Sequence, residues 1–320
     1  VQASVKAIEQ RDPTTSGHSF RVAESTLALL QILPASNNSR FRGLSFSESH
    51  LKEVRYAALM HDFGKVGVRE NVLLKANKLS DERLEIIQYR LELQKERLRR
   101  RAVEKELELL HHAGADHEVA RRRVHRELAS QLSVLDAYFE CVGKANLPSL
   151  LEDGDFQNLR EIREYAYREF DGTLGGLIND ADLLALSVRK GSLTPQERRE
   201  IQAHVTHTRD FLAVLPWPPE LAQVPEIAAA HHEKLDGSGY PDGLLGEQIP
   251  LPSRVMAVCD IYDALTAMDR PYKSAISPDR ALAILTDEAR LGLLDEDLVR
   301  IFIDGNVYQS AWPTTAQRAG

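Results

Sequence analysis

Apolar positions along most of this chain recur with the spacing of amphipathic helices. Residues 18–33, 51–60 and 255–265 each place apolar side chains three or four positions apart, which lines one face of a helix. No stretch alternates strands with helices as a parallel sheet requires, and runs rich in β-branched residues are few. The pattern therefore predicts an all-α fold.

The pattern changes after residue 80, where charged residues dominate. Leu84, Leu91 and Leu98 fall seven residues apart among these charges. A coiled coil would place apolar residues at a second seam position as well, but Gln94 and Arg101 occupy it here. The sequence thus predicts a long helix with one incomplete apolar stripe.

A turn-like break near residue 114 separates this helix from a second amphipathic run. Residues 81 to about 142 are therefore predicted to form a helical hairpin, followed by further helices to about residue 189. An apolar stripe on a projecting helix needs a partner. Two partners for this stripe are equally favoured by the sequence. One is the returning helix of the hairpin, and the other is a second copy of the chain, which would form a homodimer.

Composition describes a soluble globular protein and argues against some partners. The 320 residues are 43% hydrophobic and 28% charged, which suggests about two domains with a sizeable core. The net charge of −8 gives no reason to expect nucleic acid or an anionic membrane as a partner. The arginine clusters at 97–101 and 121–123, which are interrupted by or lie near glutamates, are accordingly interpreted as solvated helix faces.

Cellular location and chain extent are read from a few further features. Cys141 and Cys259 are the only cysteines and lie far apart, which fits the reducing cytoplasm. No apolar run approaches the length of a membrane span. The chain starts at Val1, inside a predicted helix, so we expect an upstream part that carries a sensor domain.

The stretch His231–Pro241 carries the densest candidate chemistry. It opens with two adjacent imidazoles, which are good ligands of transition metals when neutral. Gly237 and Gly239 follow, and glycines allow the backbone to turn sharply and approach a ligand closely. Tyr240 and a proline complete the stretch, which predicts a site where a metal meets a ligand.

Other histidines and aspartates extend this candidate site, and all are predicted to lie on helices. The candidate metal ligands are His18, His61, Asp62, His204, His231, His232 and Asp260. Adjacent helical residues point about 100° apart, so each adjacent pair is expected to face two ions. Seven nitrogen and oxygen ligands without a thiolate exceed one zinc site and favour two ions of higher coordination, iron or manganese. His204 and His207 share a helix face, and spacing alone does not choose between them.

Several ordered motifs resemble one known family. Residues 61–65 match the His-Asp-x-Gly-Lys signature of the HD phosphohydrolase superfamily. Residues 231–241, 260–265 and 270–273 are similar to the HD-GYP subfamily, whose members are bacterial hydrolases of cyclic di-GMP. The resemblance divides the chain into a catalytic domain of residues 1–80 and 193–320 and a helical insertion of residues 81–192.

The resemblance implies a role for each motif residue. It makes the seven candidates, with His204 rather than His207, the ligands of two divalent ions that share a bridging hydroxide. It assigns His61, Asp62, Lys65 and Asp263 to catalysis, with Asp263 orienting a ligand or Lys65. It assigns Lys65, Gly239, Tyr240, Arg270 and Lys273 to binding of the cyclic dinucleotide.

The implied reaction is hydrolysis of cyclic di-GMP to the linear dinucleotide pGpG, with GMP as a further product. One alternative is an HD phosphohydrolase that acts on another nucleotide. The other is a non-catalytic sensor of cyclic di-GMP. Some members of the family bind a third ion through a glutamate four residues before the first ligand histidine; this chain has Thr14 there, which predicts two ions.

Overall fold

The computed structural model describes residues 1–11, 17–111, 117–267 and 276–309, and it is almost entirely helical within them. The regular elements are α1 (Gln2–Arg11), α2 (His18–Ile32), α3 (Glu48–Met60), α4 (Glu70–Leu73), α5 (Asp81–His111), α6 (His117–Asn146), α7 (Asp153–Glu164), β1 (Ala166–Arg168), β2 (Leu174–Gly176), α8 (Asp180–Leu186), α9 (Pro195–Gln202), α10 (His204–Ala213), α11 (Val224–Ala229), α12 (Leu251–Thr266), α13 (Pro278–Arg290) and α14 (Glu296–Asp304). Short 3-10 helices lie at Leu33–Ala35, Phe63–Gly67, Pro219–Leu221, Gly246–Gln248 and Val307–Gln309. In the described ranges, no helix combines the length and the apolar character needed to cross a membrane.

The chain forms two compact units, residues 1–74 with 199–320 and residues 75–198. The core of the first unit lies between α2, α3 and α12, where Leu29, Val54 and Val258 are fully buried. These residues belong to the apolar faces predicted for the three helices. Helix α12 is apolar on most of its surface because other helices of the unit surround it.

The second unit is built on the antiparallel pair α5 and α6. Ile87 and Leu91 of α5 are fully buried, and Leu84 and Leu98 are half-buried against the same cluster. Leu135 of α6 packs into this cluster as well. The returning helix of the same chain therefore covers the apolar stripe of α5.

A small antiparallel hairpin in the second unit was not predicted. Strands β1 and β2 have three residues each and pair Tyr167 with Gly175. Asp171 and Gly172 form the connecting turn, and Gly172 adopts a φ of 85°. An Asp-Gly dipeptide between short runs is a strong hairpin signal, so the sequence did contain the information.

The second unit is slightly longer than the predicted insertion of residues 81–192. Lys75 and Glu197 bring its two ends together, because their side chains form an ion pair of 2.7 Å. The Ser192 hydroxyl also donates a hydrogen bond to the Lys75 carbonyl oxygen at 2.9 Å. These contacts assign about six residues on each side of the predicted insertion to the second unit.

Candidate metal centre

The seven predicted metal ligands come together in the first unit. They form three overlapping groups whose ligand atoms lie within 4.8 Å of one another. The groups are His18, His61 and Asp260; His61, Asp62 and His231; and His204, His231 and His232. All but His232 are nearly fully buried. His207, which spacing alone could not separate from His204, is in none of these groups.

Helix ends, rather than helix interiors, position most of these side chains. His18 and His204 are the first residues of α2 and α10, whereas Asp260 lies within α12. The prediction that all ligands lie on helices is wrong for both adjacent pairs. His61 and Asp62 occupy the turn after α3, and residues 231–232 follow the end of α11.

Three of the histidine rings are fixed by their own backbone. The Nδ1 atoms of His61, His204 and His231 lie 2.7, 2.6 and 2.6 Å from the carbonyl oxygens of the residues three positions earlier. Each Nδ1 must therefore carry the hydrogen and donate it, which leaves a lone pair on Nε2. These three Nε2 atoms are buried and have no hydrogen-bond partner among the described residues. Buried polar atoms without partners are rare, and metal ligands are commonly oriented in this way, so the donor set fits a bound metal.

His18 is held differently, through a carboxylate. Asp263 accepts a hydrogen bond of 2.7 Å from Nδ1 of His18, and Arg21 donates to the same carboxylate at 2.6 and 3.0 Å. Nε2 of His18 then lies 3.1 Å from Oδ1 of Asp260. The contact with His18 is the one expected if Asp263 orients a candidate ligand, which is one of the two roles predicted for it. Sequence reasoning missed Arg21, although it lies three residues after His18 and thus on the same face of α2.

Burial lowers the pKa values of the remaining imidazoles. Desolvation lowers the pKa of His232 to about 4 and the pKa of His231 well below its usual range. Desolvation also lowers the pKa of His61, although Asp62 and Asp260 partly oppose it. These three rings are therefore neutral at pH 7, which is the state that coordinates a cation.

The carboxylates of the site are ionised despite their burial. Burial raises the pKa of Asp62, but the adjacent Lys65 ammonium and His61 outweigh it and hold that pKa well below its usual range. The Lys65 Nζ atom lies 2.8 Å from Oδ2 of Asp62.

Burial lowers the pKa of His18, but hydrogen bonds to Asp260 and Asp263 outweigh it and raise the pKa to about 9. In the metal-free protein, a proton on His18 thus partly balances the buried negative charge.

Gly64 allows the His61–Asp62 turn to lie against α10. A Cβ atom at this position would lie 1.9 Å from the His204 carbonyl oxygen and 2.5 Å from the Thr208 nitrogen. The Thr208 hydroxyl accepts a hydrogen bond from the Gly64 nitrogen at 2.8 Å and donates one to the His61 carbonyl oxygen at 2.9 Å. The glycine of the signature therefore sets the distance between Asp62 and His204, whose Oδ1 and Nε2 atoms are 3.3 Å apart.

Glu233 organises the glycine-rich loop that follows the histidine pair. This buried carboxylate accepts hydrogen bonds from the backbone nitrogens of residues 242, 243 and 244 at 2.7, 3.2 and 3.0 Å. A Cβ atom at Gly239 would lie 2.3 Å from the Lys234 nitrogen, so only glycine fits there. The loop places the Tyr240 ring 4.9 Å from the His232 ring. Sequence reasoning gave Glu233 no role, although its position directly after the histidine pair was a usable signal.

Three residues singled out in the sequence lie outside the described residues, and one histidine lies apart from the ligand groups. Arg270 and Lys273, predicted to bind the dinucleotide, and Thr14, at the position of the third-metal glutamate, lie outside the described residues. The His207 ring lies beside Gly67, where an added Cβ would be 2.6 Å from its Nδ1 atom.

Metal binding at pH 7 is expected to release about one proton per chain from His18, because a group with a pKa of about 9 is protonated there. The released fraction should fall toward zero as the pH rises through 9. Calorimetric titration with Mn²⁺ in buffers of different ionisation enthalpy measures this number. In Asp263→Asn the hydrogen bond that raises the His18 pKa is weakened, so fewer protons should be released at pH 7.5. An equal release from both proteins would contradict the assignment to His18.

Comparison with known proteins adds to this geometry. The HD domain family matches residues 180–298, which include four of the seven candidate ligands, His204, His231, His232 and Asp260, together with Asp263. A 3'3'-cGAMP-specific phosphodiesterase 3 of Vibrio cholerae is 44% identical over 103 residues, 32% of this chain and 22% of that protein. The cyclic di-GMP phosphodiesterase response regulator RpfG of Xanthomonas campestris is 61% identical over 59 residues, 18% of this chain and 15% of the relative.

A cyclic di-GMP phosphodiesterase of Vibrio cholerae is 43% identical over 104 residues, 31% of this chain and 21% of the relative. In each of these comparisons the match covers less than a quarter of the relative's length. The family match begins after the His61–Lys65 signature, which the structure nevertheless places against the matched residues of α10. Residues 180–298 are therefore similar to the HD domain family, and relatives named as phosphodiesterases of cyclic dinucleotides match this chain.

Proposed function

We propose that this chain hydrolyses the phosphodiester bonds of cyclic di-GMP to give pGpG, with divalent metal ions as cofactors. The convergence of three buried, unpartnered Nε2 atoms on ionised carboxylates is the observation that carries the proposal. Such a donor set has no use in a protein that only packs a core, because buried polar atoms without partners destabilise the fold.

The ligand groups divide naturally between two ions. His18, His61, Asp62 and Asp260 would hold one ion, and Asp62, His204, His231 and His232 would hold the other. Bound divalent ions would activate water and stabilise the charge that develops on a phosphodiester during in-line displacement. Nitrogen and oxygen ligands in this number favour iron or manganese.

The chain's own residues complete the site around such ions. Asp263 and Arg21 fix the orientation of His18, so its Nε2 atom points toward Asp260. The Lys65 ammonium lies beside Asp62 and would pair with a non-bridging phosphate oxygen of the substrate. Tyr240, beside His232, would contact a base or ribose. Gly239 would support this contact indirectly, because its missing side chain lets the loop lie against the Lys234 backbone. Arg270 and Lys273 are predicted to pair with phosphate.

The second candidate substrate is 3'3'-cGAMP, because relatives named for that activity match this chain as well as those named for cyclic di-GMP. The two dinucleotides differ in one base, so the metal centre would serve both.

We expect protein reconstituted anaerobically with Fe²⁺ or with Mn²⁺ to bind two ions and to convert cyclic di-GMP to pGpG. Chromatography of the products from both dinucleotides distinguishes the candidates. Tight dinucleotide binding without turnover by metal-replete protein would instead indicate a sensor.

Tyr240→Ala is expected to raise the KM for the dinucleotide about tenfold while metal content is unchanged, because a ring that stacks on a base contributes about 1–3 kcal/mol. Arg270→Ala should behave in the same way through loss of a phosphate partner. Tyr89→Ala is a suitable control, since Tyr89 is an exposed tyrosine of the second unit. Loss of metal from Tyr240→Ala or Arg270→Ala, measured by elemental analysis, would place that residue among the ligands.

A further inference from the structure

A cavity of about 770 Å³ lies within the second unit, between α5 and the β1–β2 hairpin. The side chains that carry its chemistry are Gln94, Arg97, Arg101, Tyr165, Arg168 and Phe170. Gln94, Arg97 and Arg101 follow one another at helical spacing on one face of α5. Gln94 and Arg101 are also the two residues that interrupt the apolar stripe of this helix. The interruption and the cavity thus coincide.

Gln94 gives this cavity a buried polar group without a partner. Its side chain is 4% exposed, and its amide nitrogen forms no hydrogen bond with any described residue. Leaving a buried amide donor unpaired destabilises a fold, whereas leucine at this seam position would complete the stripe. Because this nitrogen is buried, it would donate to a ligand in the cavity once the Gln94 side chain turns toward that ligand, which would account for glutamine here.

The charges that line the cavity are mostly positive and poorly neutralised. Among the described residues, Arg97, Arg101 and Arg168 form no ion pair with a carboxylate. Arg97 donates instead to the Arg168 carbonyl oxygen at 2.7 Å, and Arg168 donates to the Gly172 carbonyl oxygen at 3.0 Å. Glu96, the acidic residue of the lining, is paired with Arg99 outside the cavity. The cavity therefore favours an anion, although the whole chain is acidic.

Aromatic rings lie beside these guanidinium groups. The Arg97 guanidinium lies 5.4 Å from the centre of the Tyr167 ring and 5.0 Å from that of Phe170. Phe170 is 86% exposed at the mouth of the cavity, and Tyr165 is partly buried in its wall. Exposed aromatic rings interleaved with arginines are suited to stacking a flat base while its phosphate is neutralised.

We propose that this cavity binds a purine nucleotide, with the base against Phe170 and Tyr165 and the phosphate on Arg97, Arg101 and Arg168. The Gln94 amide would donate to the base or the phosphate. The volume falls within the range of small-molecule sites, which is about 300–1,000 Å³. No residue of this cavity belongs to the candidate metal centre, so the proposal stands independently of the proposed hydrolysis.

Photolabelling of the full 320-residue chain with 8-azido-GMP and 8-azido-AMP, followed by peptide mapping, tests the proposal. We expect labelled peptides from residues 90–101 or 165–174, in addition to any label near the metal centre. Label confined to residues near the metal centre, or no label at all, would overturn the proposal. Calorimetry with GMP, guanosine and inorganic phosphate then tests the ligand class. GMP should bind more tightly than either part, and a single-stranded RNA that binds better than GMP would overturn it.

Variants separate a binding role from a structural one. Arg101→Glu should weaken GMP binding about tenfold through loss of a phosphate partner. Arg122→Glu makes the same charge change on α6 outside the cavity lining and should leave binding unchanged. Phe170→Ala should weaken binding about fivefold or more.

Gln94→Leu is the most informative variant. It should weaken GMP binding and also raise the melting temperature of the ligand-free protein, because the unpaired buried amide is removed. Unchanged GMP affinity in both Arg101→Glu and Gln94→Leu would contradict the proposal.

Discussion

Asp62→Ala and His232→Ala are expected to lose bound metal and the proposed phosphodiesterase activity while they remain folded. Asp62 lies between the two ligand groups, with its oxygens 3.3 Å from Nε2 of His204 and 3.7 Å from Nε2 of His18. Removal of even an indirect support of a ligand costs about 10–100-fold in metal affinity or activity, so removal of a ligand should cost more than about 100-fold. Elemental analysis, turnover and circular dichroism measure the three expected outcomes.

His207→Ala is the matched control for these variants. This imidazole lies three residues after His204 on the same helix but belongs to none of the three ligand groups. It should therefore retain both ions and most of the activity. Full metal content and full turnover in Asp62→Ala would show that the ligand set is wrong, and metal loss in His207→Ala would show that it is incomplete.

Gly64→Ala is expected to reduce the free energy of unfolding by about 3 kcal/mol, at the upper end of the usual cost of overpacking. The added methyl group would meet two backbone atoms of α10, at 1.9 and 2.5 Å, and backbone cannot rotate away as a side chain can. Urea unfolding of metal-free protein measures the change without a contribution from bound ions. Because the turn that carries Asp62 would move, metal affinity should fall as well.

Gly143→Ala provides the comparison. Gly143 lies within α6, and an added Cβ there would have nothing within 4 Å. Alanine is favoured over glycine inside a helix by about 0.5–1 kcal/mol, so this variant should become more stable. Similar stability changes in the two variants would show that contact with α10 does not explain Gly64.

The helices and the cluster of candidate ligands could be predicted because their signals are local in sequence. Apolar periodicity predicted the core faces of α2, α3 and α12, and the signature at residues 61–65 indicated two candidate ligands directly. The interactions of Arg21 with Asp263 could not be predicted in this way, because the residues are 242 positions apart. The residues around Arg21 do not indicate that Asp263 is its partner, and the residues around Asp263 do not indicate Arg21.

The second unit shows a different kind of failure. The short strands β1 and β2 lack a periodic pattern, and only the Asp171–Gly172 turn pointed to them. The arginines at 97–101 are interpreted as a solvated face because of the acidic net charge, and Arg99, Arg100 and Arg101 are indeed exposed. The net charge of the whole chain does not reveal the local excess of arginine beside Tyr167 and Phe170. This excess forms only when the hairpin folds against α5.

The three backbone-held histidines have a consequence for the order in which ligands enter the site. Their Nδ1 partners, the carbonyl oxygens of Ala58, Ile201 and Ala228, lie in the last turns of α3, α9 and α11. The carbonyl ends of three helices therefore converge on one site, and each carries a partial negative charge. These partial charges add negative potential to a site whose aspartates are already paired with Lys65, Arg21 and the protonated His18, so the metal-free site favours cations over phosphates. A cyclic dinucleotide is thus expected to bind only after the cations, and chelation should abolish its binding as well as its turnover.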